Sequence, residues 1–183
     1  MSKKLSEMSI EELWQLFPIV LTKHRSCWKQ WYHDEEAMLK QIFPPNVQMN
    51  HVGSTAICGI WAKPIIDILA EVPEKNDFED MKELLIRNGY TCMSQSPGRM
   101  SFNKGYTENG FAEKVFHLHV RQSGDHDELY FRDYLNEHED VAKEYEKMKL
   151  KLWKEYEYNR DGYTEAKTEF ILEYTNIAKR QFL

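Results

Sequence analysis

HVGSTAICGIWAKPIIDILAEV, residues His51 to Val72, is the stretch whose reading decides the fold. A Gly53-Ser54 turn opens it, a spacer runs from Thr55 to Pro64, and the apolar run Ile65 to Val72 follows, interrupted only by Asp67 and Glu71. Aliphatic residues bounded by Pro64 and Pro73 predict a strand covered on both faces, as inside a sheet flanked by helices. Side chains alternate along a strand, so Ile66, Ile68, Ala70 and Val72 share one face, and Ile65, Asp67, Leu69 and Glu71 the other. Two carboxylates on one face of a central strand cost on the order of several kcal/mol in desolvation unless cations, donors or water meet them. A metal or substrate cleft supplies such partners. A solvated strand end, or a Lys or Arg nearby, is the plainer way to supply them for one carboxylate; two, just after a Gly-Ser turn, point to a site.

Outward from this stretch, helical and strand patterns alternate. Ser9 and Glu12 have capping-box spacing and open a short helix that Pro18 ends. Pro18 to Thr22 is an apolar piece suited to an edge strand, and Ser26 to Phe43 carries apolar residues at helical intervals until Pro44-Pro45. Val47 to Val52 is the strand that delivers His51 to the turn. Asn76 or Asp77 is placed to cap a helix that closes at Asn88-Gly89, with a strand from Tyr90 to Met93 beyond it. Ser94 to Gly98 reads as a turn, Arg99 to Lys104 as a strand, GYTENG as a loop, and Phe111 to Arg121 as the second arm of a hairpin. On that arm Phe116, Leu118 and Val120 point one way, and Val115, His117, His119 and Arg121 the other. From Asp127 the pattern is helical, with a long helix from Val141 to Tyr158 broken at Asp161-Gly162 and a last helix from Thr164 to Arg180. The whole predicts a single domain over residues 1–183 of α/β (α+β) class, a mixed sheet flanked by helices with a helical part from 125 to 183.

Composition excludes several functions. With 24 Lys plus Arg against 30 Asp plus Glu the net charge is −6, so no duplex nucleic-acid footprint is expected, although a local basic pocket is compatible with it. Three scattered cysteines, Cys27, Cys58 and Cys92, suit neither a disulfide framework nor a zinc cluster and suggest a reducing compartment. No run reaches the roughly 18 apolar residues that span a bilayer, and the N-terminal stretch has no signal core, so a cytoplasmic protein without membrane partners is expected.

A Gly-Ser pair offers backbone N–H groups and a hydroxyl to phosphate oxygens, because glycine permits close approach. Its place before an acid-bearing strand resembles the DNA polymerase beta nucleotidyltransferase superfamily, in which such a turn precedes an Asp-x-Asp or Asp-x-Glu pair that holds divalent metal. A closer resemblance is to the GrpB family, on three ordered motifs: HVGSTAICGIWAKPIIDI, FHLHV (Phe116 to Val120) and LYFRDYLNEHEDVAKEY (Leu129 to Tyr145). Together these cover about Val47 to Phe170, while the segment through Asn46 departs from the family's usual opening. The resemblance implies a nucleotidyltransferase-like fold; family members also occur fused to dephospho-coenzyme A kinase, where the domain has been labelled a folding accessory.

One departure from the superfamily is physical. Leu69 stands where the second acid is expected, and Asp67 and Glu71 lie roughly 13 Å apart along a strand, against roughly 7 Å for an Asp-x-Asp pair. They are too far apart to chelate one Mg²⁺ readily; they would flank two ions, or Glu71 would bind substrate, or the site is degenerate. His117 and His119, two apart on a strand face, are spaced to reach the same cleft and favour Zn, Mn or Ni over Mg; otherwise they lie on a solvated face. The expected metal ligands and catalytic groups are therefore Asp67, Glu71, His117 and His119, with a divalent ion, Mg or Mn, as cofactor and Zn or Ni suited to the histidines. Gly53, Ser54, Lys63 and Arg132 are the expected phosphate contacts, and Arg99, Lys104 and Arg121 are further cations. Cys58 has no assigned base and reads as an apolar filler. The expected activity is metal-dependent nucleotidyl transfer from a nucleoside triphosphate to a small acceptor, the ligand being a nucleotide or other phosphorylated small molecule; the alternative is a noncatalytic ligand-binding or protein-folding accessory module with a degenerate site.

Overall fold

The computed structural model describes residues 3–73 and 78–181. Strands β1 (Gln48–Val52), β2 (Ile66–Val72), β3 (Thr91–Ser96), β4 (Arg99–Thr107) and β5 (Gly110–Gln122) form one sheet in the order β1-β2-β5-β4-β3. Only β2 and β5 run parallel; the other neighbours are antiparallel. The chain must cross over between the parallel pair, and it does so through α3 (Phe78–Arg87) and the β3-β4 hairpin arm.

The alternation read from sequence fixes which face is dry. Ile66, Ile68, Ala70 and Val72 of β2 pack with Phe116, Leu118 and Val120 of β5 against Trp28 and Leu39 of α2 (Cys27–Leu39) and Met81 and Leu85 of α3. Within this core α2 buries a carboxylate, Glu35, which is 8% exposed. It accepts from Tyr90 Oη at 2.8 Å and Lys104 Nζ at 2.7 Å, tying the helix to the sheet. The opposite face carries Asp67, paired in register with His117, then Leu69 with His119 and Glu71 with Arg121.

The C-terminal helices α4 (Asp127–Glu137), α5 (Glu139–Tyr156), α6 (Arg160–Glu165) and α7 (Thr168–Gln181) build a second core beyond that face. The spacer is part of it: Ile57 and Ile60 are fully buried among Phe131, Leu135 and Ala142. Helix side chains hold the spacer's backbone as well. Asn136 receives Cys58 N and donates to Ala56 O, Lys143 donates to Gly59 O, Glu146 receives Trp61 N at 2.6 Å, and Lys149 donates to Trp61 O at 2.5 Å. A loop with little secondary structure of its own thus has several of its polar backbone groups satisfied by α4 and α5.

Several boundaries differ from the sequence reading. GYTENG is no loop: β4 continues through Thr107 across an irregularity near Gly105, and only Glu108 and Asn109 turn the hairpin. Strand β3 extends to Ser96, so the turn shrinks to Pro97-Gly98. Asp161-Gly162 lies inside α6 instead of breaking a helix; the break falls before Asn159, whose side chain caps α6 by accepting from Gly162 N. Pro18 to Thr22 joins no sheet edge and makes one bridge, Thr22 to Ala62. Helix α2 ends at Leu39, short of Phe43. The expected cap at Asn76 or Asp77 lies outside the described residues, whereas the Ser9 capping box on α1 (Ile10–Leu16) is present.

Replacing Glu35 with Ala leaves Tyr90 Oη and Lys104 Nζ without their acceptor and should lower the unfolding free energy by about 2–4 kcal/mol. Urea denaturation reads this directly, and a loss below about 0.5 kcal/mol would show that the buried triad does not hold α2 to the sheet.

Candidate functional site

The turn after β1 is built around glycine. Gly53 has φ +71°, and a Cβ there would collide with Asp67 Oδ2 and lie 2.9 Å from Asp67 Cγ. The missing side chain therefore leaves the space that the Asp67 carboxylate fills. After Gly53, Ser54–Ala56 forms a short 3-10 turn. Buried Thr55 donates to Ile65 O at 3.0 Å and contacts His51 Nε2 at 2.9 Å, joining the turn to the start of β2. His51 stacks on Tyr32 with ring centroids 5.0 Å apart. Burial, reinforced by the Arg132 charge, lowers its imidazole pKa to about 4, so it is neutral here.

Asp67 is the centre of the opposite face. His117 Nδ1 and His119 Nε2 each lie 3.3 Å from its Oδ1. Burial by itself raises a carboxyl pKa, but these imidazole contacts outweigh it and hold Asp67 well below the ordinary carboxylate range. A chain of hydrogen bonds sets the His117 tautomer. Ionised Asp67 can only accept from Nδ1, so Nε2 of the neutral ring accepts from Tyr106 Oη at 2.8 Å, and Arg160 Nη2 donates to that phenol oxygen at 2.8 Å. The His117 proton then sits on Nδ1, facing Asp67, and burial lowers the pKa of this imidazole. His119 Nδ1 meets Arg121 Nη2 at 3.4 Å.

These groups floor a cavity of about 490 Å³ closed by the C-terminal helices. Gly53, Ser54 and Lys63 line it, together with Tyr145, Lys149, Tyr163 and Lys167, which the sequence did not single out. Lys149 had left a trace: it follows Val141 and Tyr145 at intervals of four along the buried stripe of α5, where an apolar residue belongs. Tyr106 was hidden by the mistaken loop, and Lys167 and Arg160 by the misplaced helix break. Burial lowers the Lys63 and Lys149 pKa to about 7 and that of Lys167 to about 8, with repulsion among the three adding to the first two.

Other expected site residues lie elsewhere. Glu71 faces the same side as Asp67 but accepts from Gly124 N at 3.2 Å and pairs with His126 Nδ1 at 2.7 Å. Arg132 Nη1 donates to His51 O and Nε to Asp133, so it braces the turn from behind. Arg99 pairs with Asp125, and Lys104 with Glu35 on the far face. The donor set does not suit a pair of magnesium ions, which take oxygen ligands: Asp67 is the one carboxylate between the imidazoles, and both imidazoles converge on one of its oxygens. Among the described residues no three His, Cys, Asp or Glu side chains are arranged to hold a metal ion.

Residues 18–176 match the family model described as GrpB protein. This chain belongs to the GrpB family. It is 31% identical over 179 residues to the UPF0157 protein YqkA of Bacillus subtilis, covering 94% of this chain but 51% of that protein, about half its length. The crystal structure of a GrpB protein from Enterococcus faecalis superposes with a TM-score of 0.78 at 28% identity, covering 89% of this GrpB chain and 99% of the other. A Cid1 poly(U) polymerase structure bound to MgATP superposes with a TM-score of 0.51 at 12% identity, over 73% of this chain and 44% of that one. The GrpB chain therefore has a nucleotidyltransferase-like fold, a mixed sheet flanked by helices. No helix among its described residues is long and apolar enough to cross a membrane.

Two outcomes follow from the turn. Gly53→Ala must place a side chain at positive φ against Asp67 and should cost about 1–3 kcal/mol, read by thermal or urea unfolding; wild-type stability would refute the close approach. Because the folded His51 pKa lies below its ordinary 6.5, the unfolded chain binds more protons between those values. Stability should then fall as pH drops from about 6.5 to about 4, by up to about 3 kcal/mol from this residue. His51→Gln should flatten that part of the profile, and an unchanged slope would contradict a neutral buried His51.

Proposed function

We propose that the cavity binds a nucleoside triphosphate and passes its nucleotidyl group to the hydroxyl of a small-molecule acceptor, the new bond to the α-phosphorus forming as the α–β phosphoanhydride bond breaks and pyrophosphate leaves. The observation that carries this reading is the meeting of Asp67, two imidazoles and the Gly53-Ser54 turn on one cavity floor, with lysines in its wall. The nucleotidyltransferase-like fold supports it, as does the MgATP named for the poly(U) polymerase of like fold. In this reading Gly53 and Ser54 hold phosphate oxygens, Lys63 stabilises charge on them, and the Asp67–His117 pair takes the proton of the acceptor hydroxyl. The buried tautomer favours such a role: His117 Nε2 is the acceptor nitrogen, exchanging its Tyr106 partner for substrate. The described residues offer too few oxygen ligands to hold a pair of Mg or Mn ions by themselves, so no step of this scheme is routed through a metal, and an ion carried in by the nucleotide is compatible with it.

A second reading, a ligand-binding or folding accessory module without catalysis, is favoured by two particular residues. Leu69 replaces an acid on the cavity-side face, and Glu71 is engaged by His126.

Labelled nucleoside triphosphates incubated with the protein, Mg²⁺ or Mn²⁺ and a metabolite pool should yield a labelled product that Asp67→Ala reduces by about 100-fold or more. Nucleotide binding with no product under any metal condition would favour the accessory reading, and the absence of both would remove the proposal.

A further inference from the structure

The cavity wall carries positive charge of which the catalytic reading uses Lys63 alone. Lys63 precedes β2, Lys149 lies on α5, and Lys167 lies just before α7, so three separate elements bring their ammonium groups to one hollow. None of the three has a carboxylate partner within ion-pair distance among the described residues. Aromatic faces sit beside them instead: Lys63 and Lys167 lie 5.3 and 4.3 Å from the Tyr163 ring centroid, and Lys149 lies 4.6 Å from that of Tyr145. Lys149 is 1% exposed and satisfies one of its donors on Trp61 O.

Acidic groups near the cavity are occupied. Asp67 acts on Lys63 and Lys167 from beyond ion-pair distance while its Oδ1 faces the two histidines, and Glu146, which acts on Lys149, receives Trp61 N and Lys143. Asp127 on α4 pairs with Lys179, and Glu128 lies in the field of Arg99 and Arg121. Three half-buried or buried ammonium groups repelling one another are costly, and burial already depresses their basicity. An anion placed among them would remove that cost. Lysine binds phosphate as a point charge whose several donors rotate to suit, which fits a flexible chain of phosphates better than a single planar carboxylate.

We propose that Lys63, Lys149 and Lys167 form a polyphosphate receptor that holds the di- or triphosphate chain of the ligand without a divalent cation. This rests on the nucleotide reading for the ligand's organic part, but not for its anionic part. The lysines here supply the positive charge that bound Mg²⁺ supplies elsewhere, which agrees with an oxygen-donor set too small for two such ions.

Isothermal titration with inorganic tripolyphosphate in excess EDTA tests the receptor alone. Binding should be measurable, and Lys63→Met and Lys167→Met should each weaken it about tenfold or more, while Lys167→Arg retains most of it. Circular dichroism confirms that the variants are folded, and Lys149, which also holds the spacer, is left intact. Binding that requires added Mg²⁺ or Mn²⁺, or that is indifferent to both methionine variants, would overturn the proposal, as would no binding at all. ATP and GTP titrated alongside separate the two readings. Tripolyphosphate bound without metal, with no gain from a nucleoside and no labelled product, leaves the receptor standing and removes the nucleotidyl-transfer function. Labelled product from a nucleotide bound only with metal does the reverse.

Discussion

A carboxylate in the middle of a sheet face is the constraint on which this structure turns. Asp67 stays ionised beneath a helical layer because two imidazoles from the adjacent parallel strand reach one of its oxygens and a glycine vacates the space beside the other. The register of β2 on β5 is therefore chemical as well as apolar. A slip by one residue would place Asp67 opposite Phe116 or Leu118 and bury the charge without a partner. The parallel pairing, the positive φ at Gly53 and the Arg160-Tyr106-His117 chain all serve the same carboxylate from different directions.

The spacer between the turn and β2 shows how such a site is kept rigid. Its backbone is tied to α4 and α5 by Asn136, Lys143, Glu146 and Lys149, while Ile57 and Ile60 anchor it in the helical core. The helices that close the cavity are thus the same ones that fix the loop on its floor. Lys149 belongs to both tasks, donating to Trp61 O and lining the hollow. Coupling of this kind makes the cavity sensitive to the helical layer as a whole.

Much of the architecture could be read from residue patterns because the dry face of the sheet obeys simple alternation. Ile66, Ile68, Ala70 and Val72, with Phe116, Leu118 and Val120, are where period two puts them. The site was legible where chemistry interrupted that period, at Asp67, His117 and His119, and where glycine was required. Glu71 broke the same rule for a local reason, a pair with His126 at the start of α4, and one sequence offers no means to tell these cases apart. Of the lysine wall, Lys63 was legible inside the quoted stretch and Lys149 as a cation on an otherwise apolar helical stripe. Lys167 was harder to see, because it sits between α6 and α7, where the helix ends depend on packing and Gly162 is tolerated inside a short helix capped by Asn159.

The description of Asp67 and its imidazoles predicts a definite proton arrangement in the unliganded protein. Nitrogen chemical shifts of His117 at neutral pH, measured by long-range proton–nitrogen correlation on labelled protein, examine it most directly. The expected result is a neutral ring with its proton on Nδ1 toward Asp67 and a bare Nε2 accepting from Tyr106. A protonated imidazolium, or a proton on Nε2 alone, would contradict the account of how this carboxylate is held.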